Sequence, residues 1–392
     1  MATATAPAKS PPGSLAVLFG RFDPEVIDVP GGKARIRLAV GEEDAWDVRI
    51  RGRRIGLESA NREAEPDALL TADAETWQSI ASDIRGGMQA FGRGRLHVRR
   101  NLHLGVGFLA ATSGVTGPGR LRFDSVRIGI GRISTLEAGV GDPVVCIHGL
   151  GGTKASFLTT VADLASSYRV IALDLPGFGD SVKPIGARYD APYMARAVVR
   201  MLDALGLERA HLVGNSMGGR VAIEVGLIAP WRSERMVLLS PAVAWLRERR
   251  WAPFVRALRP ELGLLQVTPR PVVERVVRNL IPGAQNGWTA AGVDEFLRAY
   301  LSPRGRAAFY AAARNIYLDE PHGETGFWTR LRELSPETMF VWGKKDTLVP
   351  VAFRKHVEEA LPAARHVELN CGHVPQLERP RETHAAIRDF LG

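Results

Sequence analysis

Apolar and polar residues alternate over residues 34–40 and 46–51, the two-residue period of strands that bury one face, and 54–57 extends the pattern. The period then changes. Trp77, Ile80, Ala81 and Ile84 fall at offsets 0, 3, 4 and 7, which predicts an amphipathic helix from 74 to about 85, capped by Asp73 and ended by Gly86-Gly87. Residues 95–98 read as another short strand and 101–112 as an apolar helix. The order predicts a small α+β module over 25–113, with helices on a curved sheet. The Gly- and Pro-rich run SGVTGPGR at 113–120 predicts a linker, taken as 114–124.

From residue 125 the rhythm is different. Residues 125–130 and 132–138 read as strands joined around Gly131, and 143–148 and 169–173 are short apolar runs, the mark of strands buried on both faces. Met194, Val198, Met201, Leu202 and Leu205 fall at 0, 4, 7, 8 and 11, one strong helix face. Strand 210–213, helix 217–227 and strand 235–239 follow; residues 241–335 read as helices throughout. Alternation returns with strands at 338–342 and 366–369 and helices near 351–361 and from 381. Alternating strands and helices predict an α/β domain over 125–392, mostly parallel, interrupted by a helical insertion at about 241–335.

Composition narrows the class. The chain has 392 residues, 45% hydrophobic and 24% charged, as expected of a water-soluble globular protein of two or three domains. Residues 1–24 begin small, polar and Pro-rich and read as a disordered tail; the apolar piece from Leu15 to Phe19 is too short for a signal-peptide core. Two cysteines, Cys146 and Cys371, form neither a disulfide framework nor a metal-binding spacing, so the reading expects a reducing, cytoplasmic location with no metal and no cofactor. Net charge is +9, and residues 241–335 alone carry 14 basic and 9 acidic side chains. No nucleic-acid-binding motif accompanies this excess, so no nucleic-acid partner is expected.

The chemistry concentrates at Gly214-Asn215-Ser216-Met217-Gly218-Gly219, a G-x-S-x-G between a predicted strand and a predicted helix. A sharp turn there would expose the hydroxyl at the positive end of a helix, with glycine two residues before and after to relieve crowding. A serine hydroxyl needs a base to become a nucleophile. His373, in Asn370-Cys371-Gly372-His373-Val374-Pro375, lies on a loop after a late strand. Asp346 lies in Gly343-Lys344-Lys345-Asp346-Thr347-Leu348-Val349-Pro350, just after strand 338–342; capping of the next helix is its alternative role.

With these motifs, residues 125–392 resemble the α/β-hydrolase superfamily. The resemblance implies Ser216 as nucleophile, His373 as general base and Asp346 as the orienting acid, in that superfamily's chain order. It implies an oxyanion hole from the backbone N–H groups of Met217 and of Leu150, within His148-Gly149-Leu150-Gly151-Gly152, where Gly149 lets backbone approach the substrate. Asp174-Leu175-Pro176-Gly177-Phe178-Gly179-Asp180-Ser181 is a further family hallmark, given a structural role. Family members that open epoxides or remove halide use an aspartate nucleophile, which Ser216 argues against. The Gly-Asn-Ser-Met-Gly-Gly phrase is similar to that of C–C hydrolases of ring-cleavage products. Those enzymes tend to carry Gly-Pro-Gly in the oxyanion loop and Trp after the His, where this chain has Gly151-Gly152-Thr153 and Val374. The expectation is a hydrophobic carboxylic ester cleaved through an acyl-enzyme, with a thioester, a lactone or a C–C bond as the alternatives.

Residues 25–113 resemble the sterol-carrier type of lipid-binding domain, through AETWQSIASDIRGGMQAF and the following Gly92–Leu102 stretch. That would place a lipid pocket in cis with the esterase; a packing or dimerisation module is the alternative. In the insertion, Trp245 and Trp251 interleave with arginines. They read either as the substrate-facing side of a lid or as a peripheral contact with an anionic membrane. A lipid-binding protein with an idle hydrolase domain is the remaining functional class.

Overall fold

The computed structural model describes residues 10–392 apart from 83–84, 118, 244–251, 262–268 and 281–287. The chain forms two compact units: residues 1–123 with 286–294, and residues 124–285 with 295–392.

The first unit opens with helix α1 (Gly13–Gly20), inside the stretch expected to be a disordered tail. Leu15 and Leu18, one helical turn apart, are both buried. At about 1.5–3 kcal/mol per buried leucine, this is a gain that the small, Pro-rich residues around them conceal. Strands β1 (Lys33–Val40), β2 (Asp44–Arg51), β3 (Arg54–Ser59), β4 (Ala68–Ala72) and β5 (His97–Arg99) form one sheet in the order β3-β2-β1-β4-β5. β1 pairs antiparallel with β2 and parallel with β4. Helix α2 (Ala74–Ser82) starts where Asp73 Oδ1 accepts the Thr76 N–H at 2.6 Å. The indole of Trp77 is fully buried and donates to the Ala39 carbonyl at 2.8 Å.

Gly86-Gly87 does not end the helical region. Both lie in α3 (Arg85–Gly92), where Ala90 and Phe91 are buried. A glycine costs about 1 kcal/mol in a helix, less than burying a phenylalanine returns. Helix α4 (Leu102–Ala111) is capped by Asn101 Oδ1, which accepts from Leu104 N, and nearly all of its residues are buried. The unit also takes in part of the stretch expected as lid: the Asp294 carboxylate accepts from Arg99 Nε at 2.7 Å and from Arg100 N at 2.8 Å, and Trp288 meets Phe91 edge to face.

The second unit holds β6 (Arg122–Ile128), β7 (Gly131–Ala138), β8 (Pro143–Ile147), α5 (Leu158–Leu164), β9 (Arg169–Leu173), α6 (Ala191–Ala204), β10 (Ala210–Asn215), α7 (Met217–Ile228) and β11 (Ser233–Leu239). The insertion supplies α8 (Ala252–Ala257), α9 (Arg270–Leu280), α10 (Trp288–Tyr300, counted in this unit from Glu295), α11 (Pro303–Tyr317) and α12 (Phe327–Leu331). Then come β12 (Glu337–Gly343), α13 (Arg354–Ala360), β13 (Arg365–Leu369), α14 (Pro375–Glu378) and α15 (Pro380–Leu391). The sheet order is β13-β12-β11-β10-β8-β9-β7-β6. Pairings from β9 through β13 are parallel, and β7 runs antiparallel to β9. This is an α/β-hydrolase sheet, its central strands buried on both faces as their continuous apolar runs require. After β8 the chain goes to one side for β9 and returns to the other for β10. The loops leaving β8 and β10 therefore part at a topological switch point, where α/β sheets open a crevice. Among the described residues no helix is long and apolar enough to cross a membrane.

A buried ion network ties the loops around this crevice. Lys154 Nζ contacts Asp174 at 2.7 Å and Asp180 at 3.4 Å, and Asp174 also accepts the backbone N–H groups of Lys154 and Asp180. Arg298 of α10 pairs with Asp180 and Glu295. Burial alone would push the Lys154 ammonium down and the Asp174 carboxyl up. Their mutual attraction, helped for Lys154 by Asp180, outweighs burial and moves both the other way. Removing one partner of a buried pair costs about 3–5 kcal/mol. Lys154→Met should therefore lower stability by about that amount at pH 7, read from denaturant unfolding. A carboxyl whose folded value is depressed stabilises above its unfolded value, about 3.9. The difference from wild type should accordingly shrink as the pH falls toward and below that value; a loss unchanged in acid would mean that the charge is not what matters.

Candidate active site

β10 ends at Asn215 and α7 begins at Met217, so one residue, Ser216, makes the whole turn. It sits at φ 53° and ψ −116°, a conformation that a non-glycine residue holds only when its surroundings force it. Here Ser216 N donates to Leu239 O at 2.9 Å and Ser216 O accepts from Ala242 N at 2.9 Å. The two glycines are needed for close approach. A Cβ at Gly214 would lie 2.4 Å from the Gly218 carbonyl, and one at Gly218 would lie 2.0 Å from the Ile147 carbonyl at the end of β8.

The turn delivers the Ser216 hydroxyl to His373, whose Nε2 is 2.8 Å from Oγ; His373 Nδ1 is 2.7 Å from Asp346 Oδ2. All three side chains are buried. The other Asp346 oxygen accepts from Leu348 N at 2.8 Å and Val349 N at 2.9 Å. Those bonds leave Oδ2 aimed at the ring and select the tautomer with the proton on Nδ1, so that Nε2 accepts from Ser216. Residues that the sequence separates by up to 157 positions thus form one hydrogen-bonded chain.

The alpha/beta hydrolase fold model matches residues 142–380, which hold all three. This chain belongs to the α/β-hydrolase fold family. It is 31% identical, over 67% of its length and 91% of the relative's, to a 2-hydroxy-6-oxononadienedioate/2-hydroxy-6-oxononatrienedioate hydrolase of Paraburkholderia phymatum. It is 30% identical, over 66% and 99%, to a pimeloyl-[acyl-carrier protein] methyl ester esterase of Aeromonas hydrophila. Among solved structures it is similar to a membrane phospholipase A described as a bacterial virulence factor, with a TM-score of 0.59 and 29% identity over 69% of this chain and 86% of that one.

In this α/β hydrolase, His148 sits where its ring can brace the loop after β8. Its Nδ1 pairs with Gly149 O at 2.7 Å and its Nε2 accepts from Leu175 N at 3.0 Å; burial holds the imidazole below its ordinary value and so keeps it neutral. The loop abuts the Ser216 turn, since a Cβ on Gly149 would lie 3.2 Å from Ser216 Cβ. Leu150 and Met217 are the next residues along these two abutting segments, and Met217 opens α7. Trp245 and Trp251 lie outside the described residues. Both cysteines are buried, and burial pushes the Cys371 thiol up to about 12 and that of Cys146 higher still, so neither is a thiolate at neutral pH.

Three further residues join the site. Asn215 Nδ2 donates to Leu239 O and to His373 O, tying the serine turn to the histidine loop. Glu378 of α14 accepts from Gly372 N at 2.8 Å and Val374 N at 3.1 Å, gripping that loop on both sides of His373. Tyr317, the last residue of α11, places its hydroxyl 3.1 Å from Ser216 Oγ. Asn215 lies inside the G-x-S-x-G motif, but its reach to His373 is 158 residues. Glu378 acts only four to six residues along the chain, a spacing that could have drawn attention. Tyr317, 101 residues from Ser216, carries no local signal. Glu378→Ala leaves two backbone donors without their acceptor, and small displacements of a base cost rate steeply. It should slow fluorophosphonate labelling of Ser216 by about 10-fold with the fold retained by circular dichroism; an unchanged labelling rate would show that the loop holds without the carboxylate.

Proposed function

We propose that this protein is a serine hydrolase that cleaves a hydrophobic carboxylic ester through an acyl-enzyme. The observation that carries the reading is the buried Ser216–His373–Asp346 chain, with bonds of 2.8 and 2.7 Å, at the mouth of the switch-point crevice. In this account Ser216 Oγ attacks the ester carbonyl while its proton passes to His373 Nε2, and Asp346 stabilises the imidazolium. The N–H groups of Leu150 and Met217 receive the developing oxyanion, the second with the positive end of α7 behind it. His373 returns the proton to the departing alcohol, and water enters by the same route to release the acid.

The competing reading is hydrolysis of a C–C bond in a ring-cleavage product, favoured by relatives such as the Paraburkholderia hydrolase. Against it stand Thr153 and Val374 at positions where such enzymes tend to carry glycine and tryptophan. For the ester stand the Aeromonas esterase and the phospholipase-like structure. The sterol-carrier-like reading of the first unit stays a proposal of lipid capture. Because that unit includes Asp294, bonded to Arg99 and Arg100, it is best tested in the full chain, with a fluorescent fatty acid.

Two substrate classes decide between the readings. Purified protein should hydrolyse p-nitrophenyl esters of medium chain length at least 100-fold faster than a 2-hydroxy-6-oxo-dienoate, and Ser216→Ala should lower the ester rate by at least 1,000-fold. The reverse preference would establish the C–C reading. Failure of both substrates with wild type would favour the idle-domain class, and full activity in Ser216→Ala would remove Ser216 from the reaction.

A further inference from the structure

Among the described residues Ser216 Oγ has two hydrogen-bonding neighbours, His373 and Tyr317, and the mechanism above uses one. His373 Nε2 takes the serine proton, because Nδ1–H is committed to Asp346. The 3.1 Å contact between Oγ and the Tyr317 hydroxyl can then be a hydrogen bond only if the phenol donates. Burial raises that phenol to about 12, so it keeps its proton at neutral pH.

Its position is built. Tyr317 is itself buried at the end of α11, and two residues on, Asp319 accepts from Arg220 Nη2 at 2.7 Å. Arg220 stands four residues after Ser216 on α7, is buried, also bonds Glu224 at 2.9 Å, and has its guanidinium 4.7 Å from the centre of the Phe327 ring. Arg330 of α12 reaches the other Glu224 oxygen. The helix that presents the nucleophile thus also anchors the residues that follow the tyrosine, so both hydroxyls are referred to one rigid element.

We infer that Tyr317 is a catalytic residue whose hydroxyl donates to Ser216 Oγ when that oxygen leaves the acyl-enzyme. The inference rests on the acyl-enzyme reading above. In deacylation, water adds to the acyl carbon and gives a proton to His373 Nε2. The tetrahedral intermediate then collapses: the C–Oγ bond breaks, its electron pair goes to Oγ, and Oγ takes the proton from His373. Tyr317 keeps its own proton throughout. The effect is differential. In the acyl-enzyme, Oγ is an ester oxygen and a weak acceptor; as it departs, it becomes alkoxide-like and a strong one, so the bond tightens in the transition state. In acylation the bond already exists in the free enzyme, so it is worth nearly as much before attack as during it. A donor to a fully charged oxyanion is worth about 100- to 1,000-fold in rate; Oγ carries only part of that charge and shares it with His373, so about 10-fold is expected here.

The test uses the full chain with Tyr317→Phe, which keeps the ring and removes only the oxygen. Ser216 is acetylated with p-nitrophenyl acetate, and intact-mass spectrometry follows the gain and loss of the acetyl mass. The inference expects gain within about 3-fold of wild type and loss slowed about 10-fold. In steady state, kcat and KM should fall together while kcat/KM holds. Equal slowing of gain and loss, or loss at the wild-type rate, would overturn it; the first would show Tyr317 to be only part of the packing. If hydrophobic esters prove not to be the preferred substrates, the ester reading fails, but the formation and decay of the acetyl adduct still decide the role of Tyr317.

Discussion

The left-handed turn at Ser216 is the constraint on which the site depends. Such a conformation costs about 1–3 kcal/mol in a non-glycine residue. It is held by β11, which accepts the Ser216 N–H, by Ala242, which donates to the Ser216 carbonyl, and by glycines at 214 and 218 that let β10, α7 and β8 touch. Relaxing the turn would move Oγ and rotate α7. Because Asn215 reaches the His373 carbonyl from the same turn, it would disturb the serine–histidine distance from both ends.

Around that turn, buried charges do the positioning. Asp346 is aimed by two backbone N–H groups, the His373 loop is gripped by Glu378, and the chain after α11 is anchored by Arg220 through Asp319. The Lys154–Asp174–Asp180 cluster does the same for the loops on the other side of the crevice, and Arg298 extends it to α10. Each pair is expensive to desolvate, and each joins segments that a purely apolar core could let slide. The first unit uses the same device, with Arg37 bidentate on buried Asp47.

Much of this was legible in the residues because it is local. Strand and helix periods mark the sheet, and G-x-S-x-G states its own backbone requirement. The loop settings of Asp346 and His373 follow from strands that can be counted. What escaped depends on tertiary burial or on long-range contact. α1 is hidden in a Pro-rich stretch whose two leucines are buried only by the fold. Gly86-Gly87 reads as a stop because propensity cannot anticipate the burial of Phe91. Residues 286–294 fall in the first unit, where Asp294 meets Arg99, 195 residues away in the chain. Tyr317 is 101 residues from Ser216 and is one of several aromatic residues on an amphipathic helix; nothing in its neighbours distinguishes it.

The central claim is that turnover passes through an ester bond to Ser216 Oγ, and direct trapping of that bond tests it. Wild-type protein would be acid-quenched during hydrolysis of p-nitrophenyl butyrate and its peptides mapped by tandem mass spectrometry. The account requires a butyryl mass on the peptide that carries Ser216, localised to that residue. A butyryl group on another side chain, or product formed while Ser216 stays unmodified at every quench time, would contradict it.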